Sequence, residues 1–106
     1  MKKYRPIYAP VFQKRVRQYS GFKKQIRMHV VDILQNPYLG TEVLQRGLKG
    51  LRSIRITRNF RIVFAISKEI KTIPYACDAF PQFCIYPDDT VVLITVGPHS
   101  KVYKLK

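Results

Sequence analysis

Apolar residues recur along this chain with two different periods, and the changes between them divide it into elements. Across residues 22–35, Phe22, Ile26, Val30, Ile33 and Leu34 fall at the i, i+4, i+8, i+11, i+12 spacing of one helical stripe. Lys23, Lys24 and Arg27 lie off that stripe, and Asn36-Pro37 ends it, because a residue before proline is pushed out of the helical region. An earlier helix is predicted over residues 10–20, with Pro10 in the first turn, where a missing N–H costs nothing. Val11, Phe12, Val16 and Tyr19 mark its apolar side, and Ser20-Gly21 permits a break, so the two helices read as an αα-hairpin.

The second period is two. Within residues 60–68, Ile62, Phe64 and Ile66 share one face of a strand, and Arg61, Val63 and Ala65 share the other. A preceding strand over 51–58 joins it tightly at Arg58-Asn59. The Val/Ile/Leu run over 90–97, bounded by Asp88-Asp89 and Gly97, suits a central strand covered on both sides. Residues 3–9 predict a first strand at a sheet edge, since Pro6 cannot donate to a ladder. Residues 38–50, with Gly40, Gly47 and Gly50, predict a loop with a short helical turn around Glu42–Arg46. Residues 69–89 read as an irregular insert whose Ile73, Tyr75, Phe80, Phe83, Ile85 and Tyr86 can pack on the domain or on a partner. The order is β-α-α-β-β-β. It predicts one α+β domain over 1–106, a helical hairpin packed on a small, mostly antiparallel sheet.

Charge adds the first statement about partners. Twenty Lys and Arg stand against six Asp and Glu, a formal net charge of +14, so a polyanion is expected: nucleic acid or an acidic protein. The basic residues do not gather on one long amphipathic helix, which argues against a membrane surface. No apolar run approaches the ~18 residues of a membrane span. Met1-Lys2-Lys3-Tyr4-Arg5 has no apolar core behind it, so a secretion signal is not expected and a cytoplasmic location is. Cys77 and Cys84, in C-x6-C spacing without a nearby histidine, make a poor metal signature. They read as two partly buried thiols or as a disulfide closing a local loop.

Two segments carry the chemistry. Leu48-Lys49-Gly50 leads into Arg52-Ser53-Ile54-Arg55-Ile56, then Arg58, then Phe60-Arg61-Ile62-Val63-Phe64, which places four arginines within ten residues. The second is Val96-Gly97-Pro98-His99-Ser100-Lys101-Val102-Tyr103. Together, and in this order behind a helical hairpin, they resemble the RelE/ParE superfamily of toxins from type II toxin–antitoxin systems. Segments of that family read L-x-G, a basic strand, then [YF]-R-[IL]-[VI]-[YF], with a last strand ending V-G-x-[HR] and an aromatic residue beyond it. The resemblance implies a RelE-like fold and an mRNA interferase that enters the ribosomal A site. There the RNA 2′-hydroxyl attacks its own adjacent phosphate. The reaction needs a base, an acid and cations around the phosphorane-like transition state. It implies no metal and no cofactor. The implied partners are mRNA, the ribosome and a cognate acidic antitoxin.

By the same resemblance, Arg61 binds the scissile phosphate, where a forked guanidinium suits two phosphate oxygens. His99 carries protons near neutral pH, and Tyr103 stacks on a base or orients the phosphate. Lys49, Arg52, Arg55, Arg58 and Lys101, with Lys23 and Lys24 on the second helix, are expected to contact RNA. Strand alternation sets Arg52 and Arg58 on one face and Arg55 on the other, so all three cannot enter one site; the matching register in members of the resembled family favours Arg55 as Arg61's companion. Glu42, the nearest preceding carboxylate, lies well upstream of the arginine-bearing strands. That leaves three alternatives: His99 serves both proton steps, perturbed basic groups do slow chemistry, or the chain is no nuclease. A ParE-like inhibitor of DNA gyrase and a non-catalytic nucleic-acid binder are the competing readings. His99 argues against the first of these.

Overall fold

The structure, a computed structural model, describes residues 3–44, 50–73, 76–79 and 81–98. The described strands are β1 (Arg5–Tyr8), β2 (Glu42–Val43), β3 (Arg52–Arg55), β4 (Phe60–Ile66) and β5 (Thr90–Pro98). They form one sheet in the order β1-β5-β4-β3-β2. β1 runs parallel to β5, and every other pairing is antiparallel. Helices α1 (Pro10–Gln18) and α2 (Lys23–Gln35) follow β1, while the short α3 (Ser67–Ile70), α4 (Ala76–Ala79) and α5 (Gln82–Ile85) separate β4 from β5. The architecture is α+β, a helical hairpin on a mostly antiparallel sheet.

The hairpin lies where its stripe directs it. Phe12, Ile26, Val30, Ile33 and Leu34 form one buried cluster with Phe60, Ile62, Phe64, Ile66, Val91, Leu93 and Val96 of the sheet. Burying each large apolar side chain contributes about 1.5–3 kcal/mol, so this cluster dominates the stability and fixes which face of β4 looks at the helices. Val11, expected on the apolar side of α1, is instead half exposed. The apolar run of β5 serves both faces through a register shift: Val63 pairs with Thr95, but Phe64 pairs with Leu93. The extra residue, Ile94, breaks the alternation. Val96 therefore faces the helices together with Leu93 and Val91, while Ile94 and Val92 join the opposite side.

Two segments differ from the pattern's prediction. Glu42–Val43 is a strand paired to β3, where a helical turn is predicted. Glu-Val-Leu-Gln-Arg is a good helix-forming string, but the pairing to β3 outweighs that propensity. The segment over 69–89 holds short helices. β4 ends at Ile66, and the Ser67 hydroxyl donates to the Phe83 carbonyl at 3.0 Å. Ile70 and Phe83 then pack with Ala65 and Val92 as a second buried cluster on the sheet face opposite α1 and α2. A disulfide joins Cys77 of α4 to Cys84 of α5, with Cα atoms 5.8 Å apart.

Both sheet edges are poor templates for another strand. On β1, Arg5 and Ala9 direct their N–H groups at Asp89 and Leu93 carbonyls, which turns Pro6 and Tyr8 outward. Pro6 has no N–H, and the Tyr8 carbonyl accepts from Gln13 Nε2 at 2.8 Å. At the other edge β2 is two residues long, and short edges of this kind resist strand addition.

Candidate active site

Phe60 sets the site's geometry. Its ring stacks on Phe22 with centroids 4.4 Å apart and meets Tyr19 edge-on at 4.9 Å. That aromatic cluster, worth about 0.5–1.5 kcal/mol per ring pair beyond burial, pins Phe60 toward the hairpin. Strand alternation then turns Arg61 to the far face. Arg55 is paired directly with Arg61 across β3 and β4, and Gly97 is paired with Arg61 on the other side. Two arginines placed directly opposite repel, at roughly 0.2–1 kcal/mol for such a pair. The arrangement is therefore one that an anion relieves.

A carboxylate stands in this field. Glu42 pairs with Ser53, and Ser53 pairs with Val63, so all three share the face of Arg61. Arg61 Nη1 donates to Glu42 Oε2 at 3.3 Å. The arginine side chain is 11% exposed and the glutamate 66%. The cation is thus fixed within the protein surface, while the carboxylate reaches it from solvent. Glu42 stands 19 residues before Arg61 in the chain, too far for a local pattern to join the two. The strand that delivers it was visible only as two β-branched residues, Thr41 and Val43, flanking it. A side chain at position 97 would begin 3.1 Å from Arg15 Nη1 and 3.4 Å from the Tyr19 ring, and the Gly97 φ of +155° suits glycine. Arg15 therefore lies against the bare end of β5.

The remaining expected site residues divide. Arg55 shares the Glu42–Arg61 face and is exposed; Arg58 is exposed in the turn between β3 and β4. Arg52 does not join them. It pairs with Phe64, on the helix side of the sheet, and its guanidinium is occupied. Nε donates to Glu69 Oε1 at 2.9 Å and Oε2 at 3.1 Å, Nη2 to Oε2 at 2.8 Å, and Nη1 to Thr41 Oγ1 at 3.1 Å. The hydrogen bonds it donates to Glu69 hold its pKa above the ordinary guanidinium value. The same guanidinium lies 5.0 Å over the ring of Tyr38, whose phenol is pushed up by burial first and by Tyr4 and Glu69 beside it. Lys23 and Lys24 are exposed on α2, across the sheet from Arg61. Lys49, His99, Lys101 and Tyr103 lie outside the described residues. β5 ends with Pro98 opposite Phe60, one residue before His99 in the chain.

This topology, a helical hairpin on one face of a mostly antiparallel five-stranded sheet, is a fold shared with solved toxins of the RelE/ParE type. Solved structures sharing it include a chain of the toxin–antitoxin complex RelBE2 from Mycobacterium tuberculosis, at 16% identity and a TM-score of 0.63, over 91% of this chain and 98% of that one. A YoeB/ParE toxin from Agrobacterium tumefaciens matches at 16% identity and a TM-score of 0.65, over 90% and 98%. YafQ from E. coli matches at 13% identity and a TM-score of 0.62, over 95% and 99%. At these identities the likeness is one of fold. No protein-family model matches the chain, and no curated protein matches it in sequence.

Proposed function

We propose that this chain is the toxin of a toxin–antitoxin pair and that it cuts messenger RNA on the ribosome. The observation that carries this reading is the Glu42–Arg61 pair beside Arg55. A base and a phosphate-binding fork stand together, on a protein whose charge favours RNA. The Glu42 carboxylate takes the proton of a ribose 2′-hydroxyl. The freed oxygen attacks the adjacent phosphorus, and the bond from phosphorus to the 5′-oxygen breaks. His99, supplied from beyond the end of β5, gives the leaving oxygen its proton. The products are a 2′,3′-cyclic phosphate and a 5′-hydroxyl end. Arg61 and Arg55 neutralise the charge that builds on the phosphorane-like transition state. Tyr103 orients the phosphate or a base, while Lys49, Arg58 and Lys101 hold the RNA backbone.

Expression without its partner is therefore expected to arrest growth and to leave messages cut at codon-phased positions with 5′-hydroxyl ends, as primer extension reads them. Intact messages during a clear arrest would reject the nuclease and point to DNA gyrase. Intact messages without arrest would leave a nucleic-acid binder.

The partner is an acidic antitoxin, and the fold favours a helix over a strand for its contact, because both sheet edges are blunted. A groove of about 240 Å³ runs between α1 and α2, lined by Phe12, Val16, Val30 and Val31 and rimmed by Lys23 and Arg27. An amphipathic helix fits such a groove, apolar side in and acidic side to the rim. Lys23 then serves the protein partner rather than RNA. Purified from a host carrying the neighbouring gene, the chain should retain a short acidic protein, and Val31→Asp should lose it while staying toxic. Full retention by Val31→Asp would remove the groove from the interface.

A further inference from the structure

The Arg52 guanidinium joins three segments. Beyond its bonds to Glu69 of α3, it donates to Thr41 Oγ1, which in turn donates to the Pro37 carbonyl at 3.0 Å just past α2. Thr41 immediately precedes Glu42. The strand that carries Glu42 has two residues; among the described residues its register is set by Glu42 against Ser53 and Val43 against Arg52, with the Leu44 N–H donating to the Leu51 carbonyl at 3.0 Å beyond it. So short a strand specifies its register weakly on its own. Thr41 and Val43 face Arg52, and Glu42 faces the other way, toward Arg61. Fixing Thr41 therefore fixes which face Glu42 occupies.

We propose that Arg52 is a positioning residue: by tying Thr41 to Glu69 it holds β2 in register, so that the Glu42 carboxylate meets Arg61. The proposal rests on the reading of Glu42 and Arg61 as the reacting pair. It replaces an RNA contact with an internal one. A side chain 13% exposed and engaged at all three nitrogens has little left to offer a phosphate. The insert thereby acquires a role, since Glu69 is its contribution to the tie.

Single-turnover cleavage of a short message on ribosomes separates the two roles, using Glu69→Gln, Thr41→Val and Arg52→Lys. A positioning role predicts a limiting rate lowered roughly tenfold to a hundredfold in the first two, the scale of a misplacement near 1 Å. Half-saturation and the salt slope stay as they are. Arg52→Lys keeps the charge without the fork and restores only part of the rate. An RNA contact predicts the reverse: Glu69→Gln frees the guanidinium and leaves cleavage equal or faster, while Arg52→Lys raises half-saturation. That result would overturn the proposal. Hydrogen exchange at the Leu44 amide needs no RNA. It should quicken at least tenfold in Thr41→Val and Glu69→Gln, on the order of 1.4 kcal/mol of local opening, and unchanged exchange also overturns the tie. If the wild-type chain cuts no message, the reading of Glu42 and Arg61 fails alone, and the exchange result still decides whether Arg52 holds β2.

Discussion

Arg61→Ala is expected to lower the cleavage rate by about a hundredfold or more while leaving a folded protein. Removing one preorganised donor from a developing oxyanion costs about 3 kcal/mol, and in the proposed role Arg61 sets a fork against two oxygens of the same phosphate. The Glu42 contact itself contributes about 0–1 kcal/mol, since that carboxylate is 66% exposed. The arginine is 11% exposed, so its truncation also loses packing. A melting curve on the same protein, folded at the assay temperature, separates that loss from the loss of rate. Arg61→Lys separates charge from geometry, because an ammonium keeps the attraction but cannot span two oxygens. Its rate should fall between the wild type and Arg61→Ala. Arg58→Ala, in the exposed turn, should weaken RNA binding with little effect on the limiting rate. An Arg61→Ala protein that cuts messages at the normal rate would remove Arg61 from the chemistry.

The fold was largely legible because its buried stripes are long. Ile26, Val30, Ile33 and Leu34 on α2, and Ile62, Phe64 and Ile66 on β4, each repeat often enough that one period fits and the other does not. The site was legible only where it sits on such an element. Arg61 inherits its direction from Ile62 and Phe64, so alternation sets it on the face opposite theirs; that Arg55 shares this face and Arg52 does not follows from the register between β3 and β4. Glu42 escaped because its strand has two residues and no period to read. Its position is decided by register against β3 and by contacts with residues distant in sequence. The role of Arg52 escaped for a similar reason: its partner Glu69 lies 17 residues away in a segment without periodic pattern. The short helices of the insert hide likewise, being held by Phe83, Ile70 and the Cys77–Cys84 disulfide rather than by a stripe of their own.

Glu42→Gln should slow cleavage by a factor on the order of 10² to 10⁴, the usual contribution of a positioned proton carrier. Glutamine keeps the size and a polar end but cannot take the proton of the 2′-hydroxyl. His99→Ala should slow cleavage at the other step, departure of the 5′-oxygen. A substrate with sulfur in place of that bridging 5′-oxygen distinguishes the two roles directly, because a thiolate leaves without being protonated. It should restore much of the rate to His99→Ala and little to Glu42→Gln. If Glu42→Gln cuts at nearly the wild-type rate and His99→Ala stays slow even on the sulfur substrate, a single imidazole carries both proton transfers. The Glu42–Arg61 contact would then serve only to hold the arginine until a phosphate displaces the carboxylate.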